Sequence, residues 1–238
     1  MHDFLLTKEG AKVIIASRNA DRVQQAVAEI QHEIRHPERI TGAIFDAMET
    51  AKIKAFIDEQ AAVYGGLDIL ITNTAGPKAG MLDGVSQVDL DNAYKQLLAS
   101  TFELIQSASS YLKKSECASI LTITSISAKQ AIPGLALSNI FRPAVTALSK
   151  NLSQEYGPDG IRVNSILPGW TSTARTQQPL QADGLNFNQA QIEQDIPLRR
   201  IATPEEFANV ATFLVSPAAS YLTGVMLPVD GGKILGLS

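Results

Sequence analysis

The sequence predicts an α/β protein with a doubly wound parallel sheet, and three observations carry that expectation. Short apolar or β-branched runs recur along the chain, as in strands buried on both faces. Helical patterns fall between them, and parallel strands need such long crossovers to cover the sheet. Finally, 238 residues with 45% hydrophobic content are the size of one large α/β domain. No repeat or linker divides them, so residues 1–238 are expected to form a single domain.

Five strands are expected at Val13 to Ala16, Ile40 to Phe45, Leu67 to Thr72, Ser119 to Thr124 and Ile161 to Leu167. The segment from Asp21 to Ile34 puts Val23, Val27, Ile30 and Ile34 on one helical stripe. Longer helices are expected over about 50–64, 87–113 and 136–156. Thr203-Pro204-Glu205-Glu206 reads as an N-cap, a proline in the first turn and a capping-box Glu, opening a helix that runs to about Val215. Residues 174–196 are polar, rich in Gln and Asn, and are expected to be a long lid-like excursion without a strand.

Composition narrows the functional classes. The net charge is −4 and Lys and Arg are dispersed, so nothing resembles the basic stripe that binds a phosphate backbone, and no nucleic-acid partner is expected. No apolar run approaches the roughly 18 residues of a membrane span, and a soluble cytoplasmic protein is expected. His2, His32 and His36 lie in polar surroundings without a cluster at metal-ligand spacing, so they are expected at the surface and no metal is expected. Cys117, the single cysteine, is expected to pack in the core.

Four stretches, "EGAKVIIASRN", "NTAG", "EYGPDGIRVNSILPG" and "YLTGVMLPVDGG", occur in an order and spacing that resemble the short-chain dehydrogenase/reductase family from about residue 9 to the end. The resemblance implies a Rossmann-like nucleotide-binding fold. It also implies a first strand and a Gly-rich turn of the form TGxxxGxG, whose backbone N–H groups hold the cofactor pyrophosphate. That strand and turn are absent here. Met1 to Gly10 matches only the last turns of the helix after them, leaving on the order of 25 residues unaccounted for. A start lying further upstream explains this as well as a genuine loss does. In the family's strand order the missing strand is central, so the rest must close the gap, recruit another chain or leave a weak sheet. Each buried orphan N–H or C=O costs about 1 to 3 kcal/mol. Impaired cofactor binding and low stability are expected.

The cofactor residues that remain are implied by the same resemblance. Ser17 and Arg18 follow the first surviving strand where the family reads the adenosine ribose. An Arg there suits a 2′-phosphate, which favours NADP(H). Asp46 suits both the family's contact to the adenine amino group and capping ahead of Met48. Asn73, Ala75 and Gly76 belong to the small-residue turn that approaches the ribose, with Asn73 steadying neighbouring strands by hydrogen bonds. Pro168 and Gly169 match the family's PG motif, with Thr171 and Thr173 placed for the nicotinamide end.

The catalytic positions depart from the family, in which a Tyr phenol moves the proton, a Lys four residues on lowers its pKa, a Ser holds the carbonyl and a helix Asn completes the relay. None of Tyr64, Tyr94, Tyr111, Tyr156 and Tyr221 has a Lys four residues later. Aligned through Pro143–Lys150, Ser138 takes the Tyr position, Arg142 the Lys position and Leu97 the Asn position, and only Ser125 is retained. A Ser hydroxyl is a far weaker acid than a phenol and Arg does not deprotonate, so the usual relay cannot run through this pair. Arg142 could instead act as a fixed cation toward a carbonyl or an anionic substrate. Pro143, inside the same helix, removes a backbone bond at a cost of about 3 kcal/mol unless the helix bends.

Two functions are implied by the resemblance. One is an NADP(H)-dependent oxidoreductase of an atypical branch, similar to proteins labelled 3-oxoacyl-[acyl-carrier-protein] reductase, acting on an unidentified small molecule. The other is a non-catalytic relative that binds a ligand or a partner subunit. Family members pair through two long helices and the C-terminal segment, so a homo-oligomer, dimer or tetramer, is expected.

Overall fold

The computed structural model describes residues 2–173 and 188–236. Helix α1 (His2–Lys8) leads into β1 (Val13–Ser17), α2 (Ala20–Glu33) and β2 (Ile40–Ile44). Then come α3 (Ile53–Tyr64), β3 (Ile69–Asn73) and a long helix in three parts: α4 (Gln87–Ala93), a π-helical segment (Tyr94–Ala99) and α5 (Ser100–Leu112). Strand β4 (Ser119–Ile123), α6 (Ala136–Glu155) and β5 (Arg162–Pro168) come next, and then α7 (Gln189–Asp195), α8 (Pro204–Val215) and β6 (Met226–Val229).

Every ladder is parallel, as the strand–helix alternation requires, but the strands form two sheets. One holds β1 and β2; the other holds β3, β4, β5 and β6 in that order. Among the described residues no strand lies between β1 and β3, so the surviving strands do not close up. The sheets nevertheless share one core. Val13, Ile30 and Ile40 from the first half cluster with Leu121, Ile123 and Ile166 of the second sheet and with Ala211, Leu214 and Val215 of α8. Leu6 anchors α1 in the same cluster, against α8.

The expected elements are present with small shifts at their ends. The α8 start is a full capping box: Thr203 Oγ1 accepts from Glu206 N–H, and the Glu206 carboxylate accepts from Thr203 N–H. Gly42 lets α2 lie close on β2, since a Cβ there would stand 2.4 Å from Val23 Cγ1. Helix α6 passes through Pro143 without ending. It is held on the sheet by buried hydroxyls: Thr122 Oγ1 lies 2.9 Å from Ser149 Oγ and 2.7 Å from Ser165 Oγ.

Three expectations are corrected. There is a sixth strand, β6, which four residues including Pro228 concealed. The Val225 carbonyl accepts from Ser165 N–H of β5 and the Val229 carbonyl from Gly169 N–H just after it, so Pro228 turns its nitrogen to the free edge, where proline costs no ladder bond. Cys117 is exposed: it precedes β4, in a turn where Ser115 Oγ accepts its N–H. The polar excursion also contains α7, capped by Asn188, while its residues 174–187 lie outside the described residues. His32 and His36 are exposed as expected, and among the described residues no group of His, Cys, Asp and Glu could hold a metal. No helix among them is long and apolar enough to cross a membrane.

Candidate active site

The C-terminal ends of β1, β3, β4 and β5 present the residues that the sequence singles out, which is where open α/β sheets bind ligands. Arg18 leaves the end of β1 with 66% of its side chain exposed. Its Nη1 stands 4.0 Å from an Asp46 carboxylate oxygen, and Asp46 itself is 37% exposed. The other Asp46 oxygen accepts from Met48 N–H at 3.0 Å, closing the turn at residues 47–48, and one oxygen is left toward Arg18. Ser17 Oγ makes only a long contact, 3.5 Å, with Asn19 N–H.

After β3, the turn carrying Asn73, Ala75 and Gly76 is held by two side chains from neighbouring helices. Gln96 Nε2 donates to the Gly76 carbonyl at 3.4 Å and Arg142 Nη2 to the Thr74 carbonyl at 3.4 Å. The Asn73 side chain is exposed and hydrogen-bonds to no described residue.

Beyond β5, Pro168 and Gly169 turn the chain beneath residue 230; a Cβ on Gly169 would stand 2.8 Å from Asp230 Cα, so only glycine fits. Gly169 N–H donates to the Val229 carbonyl, and Thr171 bridges to Ala202. Thr173 lies just past that bridge, at the last described residue before 188.

Ser125 begins the turn after β4. Its Oγ accepts from Ser127 N–H at 3.1 Å while the residue stays partly accessible. Ser138 and Arg142 are both only 7% exposed, one turn apart on the face of α6 against the sheet. Ser138 Oγ pairs with Ser127 Oγ at 2.9 Å. Arg142 Nη1 donates to the Ile123 carbonyl at 3.1 Å, so the guanidinium ties the end of β4 to the turn after β3. Leu97 is fully buried in the π-helical segment, packed with Leu137 and Phe141, which puts an apolar plug at the expected Asn position. Ser127 links the turn of Ser125 to Ser138, and Arg142 lies one turn further along α6; the sequence reading did not single out Ser127 or Gln96. Ser127, two residues after Ser125 in the short 3-10 turn that Ser125 caps, was the signal available.

Helices packed around parallel strands, with these polar groups at the strands' C-terminal ends, define a Rossmann-like α/β fold. The family model described as enoyl-(acyl carrier protein) reductase matches residues 5–233, and the chain belongs to the short-chain dehydrogenase/reductase family of oxidoreductases. It is 30% identical to dehydrogenase/reductase SDR family member 4 of Bos taurus, covering 96% of this chain and 80% of that protein. It is 29% identical to the NADPH-dependent reductase BacG of Bacillus subtilis, covering 96% of this chain and 90% of that protein. Among solved structures it superposes on YwfH, an NADPH-dependent reductase involved in bacilysin biosynthesis, with a TM-score of 0.91 and 26% identity, over 99% of this chain and 93% of that one.

Proposed function

We propose that the protein is an NADP(H)-linked oxidoreductase that interconverts a carbonyl and an alcohol on a small molecule, with Ser138 and Arg142 in place of the family's Tyr and Lys. The observation that carries this reading is Arg18, a largely exposed cation at the end of β1 preceded by Ser17 rather than an acidic residue. An Arg there offers a fork of donors to a 2′-phosphate, and Ser17 leaves room for it without repulsion. NADPH-dependent relatives such as BacG support the same cofactor.

The site fits this cofactor at its two ends. Arg18 and Asp46 meet the adenosine side. The turn of Asn73, Ala75 and Gly76 would line the ribose, and Pro168, Gly169, Thr171 and Thr173 the nicotinamide side. Among the described residues no Gly-rich turn before a helix offers clustered N–H groups to the pyrophosphate. When bound, NADP(H) supplies the hydride. Of the chain's own groups, the Ser125 hydroxyl accepts one turn N–H and donates its proton to no described residue, so it is placed to donate to a substrate oxygen. Ser127 and Ser138 extend this hydroxyl group inward. Arg142 keeps its charge and holds the strand ends rather than moving a proton. The proton therefore comes from water reaching Ser125. A turnover assay tests the reading: NADPH oxidation with a panel of ketones and aldehydes, repeated with Ser125→Ala, which should lower kcat at least tenfold for any active substrate.

A second reading, a non-catalytic relative that binds a ligand or partner, is favoured by Leu97, whose buried side chain occupies the relay position. Cofactor-dependent turnover eliminates it. We also propose a homo-oligomer. Val88, Tyr94, Phe102 and Ile140 are large apolar residues exposed along α4 to α6, and such patches mark contacts between chains. Light scattering giving a monomer mass would reject it.

A further inference from the structure

The serines beyond β4 carry more hydroxyl protons than they use on one another. Ser125 caps the short 3-10 turn Ile126–Ala128, and its Oγ accepts from Ser127 N–H at 3.1 Å. Ala128 N–H closes the turn on the Ser125 carbonyl and Lys129 N–H on the Ile126 carbonyl, each at 3.0 Å, so the backbone is fixed. The turn packs against α6, where the Ser127 and Ser138 hydroxyls meet at 2.9 Å with either able to donate. Ser127 thus fixes two neighbours, Ser125 through its amide and Ser138 through its hydroxyl.

A serine hydroxyl has one proton to give and two lone pairs to receive with. The Ser127–Ser138 contact uses one proton of the pair, and no described residue accepts the other. No described residue accepts the Ser125 proton either. Ser127 and Ser138 are 3% and 7% exposed, so the spare proton is withdrawn from bulk water, and a buried donor without a partner costs free energy. With Ser127 as the donor within the pair, the spare proton lies on Ser138, the more accessible of the two. That direction also makes a chain of hydroxyls in which each link polarises the next.

We infer that Ser127 donates to Ser138, and that Ser138 and Ser125 give their free protons to one oxygen of a carbonyl ligand, with Ser127 as the positioning residue of this two-donor subsite. A carbonyl oxygen has two lone pairs and accepts both. The subsite holds the oxygen and draws charge onto it without losing a proton, since serine hydroxyls do not ionise near neutral pH. It rests on the proposed reaction only in taking a carbonyl as the ligand, and it needs no cofactor.

The test titrates carbon-13 carbonyl-labelled acetone and cyclohexanone into the protein without cofactor, reading the dissociation constant and the infrared carbonyl stretch of the bound ketone. The stretch should lie lower in frequency on the wild type than on Ser138→Ala, which should bind roughly two- to tenfold more weakly, the loss of one neutral hydrogen bond. Ser127→Ala keeps the amide bond to Ser125 and should move the stretch in the same direction. The double variant should match Ser138→Ala alone, because Ser127 acts through Ser138. Ser127→Thr retains the hydroxyl and should restore the wild-type stretch. Ser149→Ala removes a different buried hydroxyl of α6 and should lower Tm while leaving the stretch in place. A stretch unmoved by Ser127→Ala or Ser138→Ala, an equal movement in Ser149→Ala, or no saturable ketone binding by the wild type would overturn the inference. NADPH oxidation separates the two readings. The expected stretches without NADPH oxidation support the subsite and count against the oxidoreductase, whereas oxidation with an unmoved stretch keeps the oxidoreductase and overturns the subsite.

Discussion

Replacing Arg142 by Met measures what a buried cation contributes where the family places a Lys. The aliphatic stem of Arg142 is retained in volume, so the change removes the guanidinium with little loss of packing. It deletes the bonds to the Ile123 and Thr74 carbonyls, at 3.1 and 3.4 Å. A hydrogen bond from a charged donor is worth about 1.5 to 3 kcal/mol, and the buried Ile123 carbonyl is left without that partner. Against this, removing the charge relieves a desolvation penalty of several kcal/mol. Truncating one partner of a buried charged contact leaves the other unsatisfied, so the loss exceeds the relief and a net destabilisation of about 2 kcal/mol is expected. For a chain of this size that lowers Tm by roughly 4 to 8 °C. Arg142→Lys keeps the charge but cannot span both carbonyls, so it should fall between wild type and Arg142→Met. Thermal melts followed by circular dichroism give the answer, with urea midpoints as a check. An unchanged or higher Tm for Arg142→Met would refute the bracing role and show that burial of this charge is a net cost.

Further outcomes are expected from the packing. Thr203→Ala removes the α8 cap and should cost about 1 kcal/mol in urea denaturation. The Arg200 guanidinium, aided by the Thr203 N–H, pulls the Glu206 carboxyl from its ordinary 4.5 down to about 2. A lowered carboxylate pKa stabilises the fold fully above pH 4.5 and loses that support as pH falls toward 2; Glu206→Gln should flatten this part of the stability–pH curve. Leu97→Ala empties a fully buried site and should cost about 2 to 5 kcal/mol, read from the same denaturation curves. Thr122→Val deprives Ser149 and Ser165 of a shared buried partner and should destabilise by about 1 to 3 kcal/mol, read from the same denaturation curves.

The strands and helices were legible where periodicity is strong. Buried runs such as Ser119–Ile123 are apolar on both faces, and the capping box at Thr203 carries its own geometry in four residues. What the sequence did not reveal depends on contacts between distant segments. Strand β6 exists because β5 offers an edge, and Pro228 masks it. The exposure of Cys117 is set by where β4 starts, two residues later. In the site, Ser125, Ser138 and Arg142 were locatable by spacing, but their partners were not. Ser127 bridges Ser125 and Ser138 through one turn, and Arg142 reaches Thr74 across 68 residues of sequence. No local pattern encodes such a contact.

The central claim is that this chain is a member of the short-chain dehydrogenase/reductase family selective for NADP(H) through Arg18. The most direct measurement titrates NADPH and NADH separately into the 238-residue chain, tracking nicotinamide fluorescence and Tm, for wild type and Arg18→Ala. The expected result is weak but saturable binding that favours NADPH at least tenfold, about 1.4 kcal/mol, with the preference lost in Arg18→Ala. Equal binding of the two cofactors, a preference for NADH, or a preference for NADPH untouched by Arg18→Ala would contradict it.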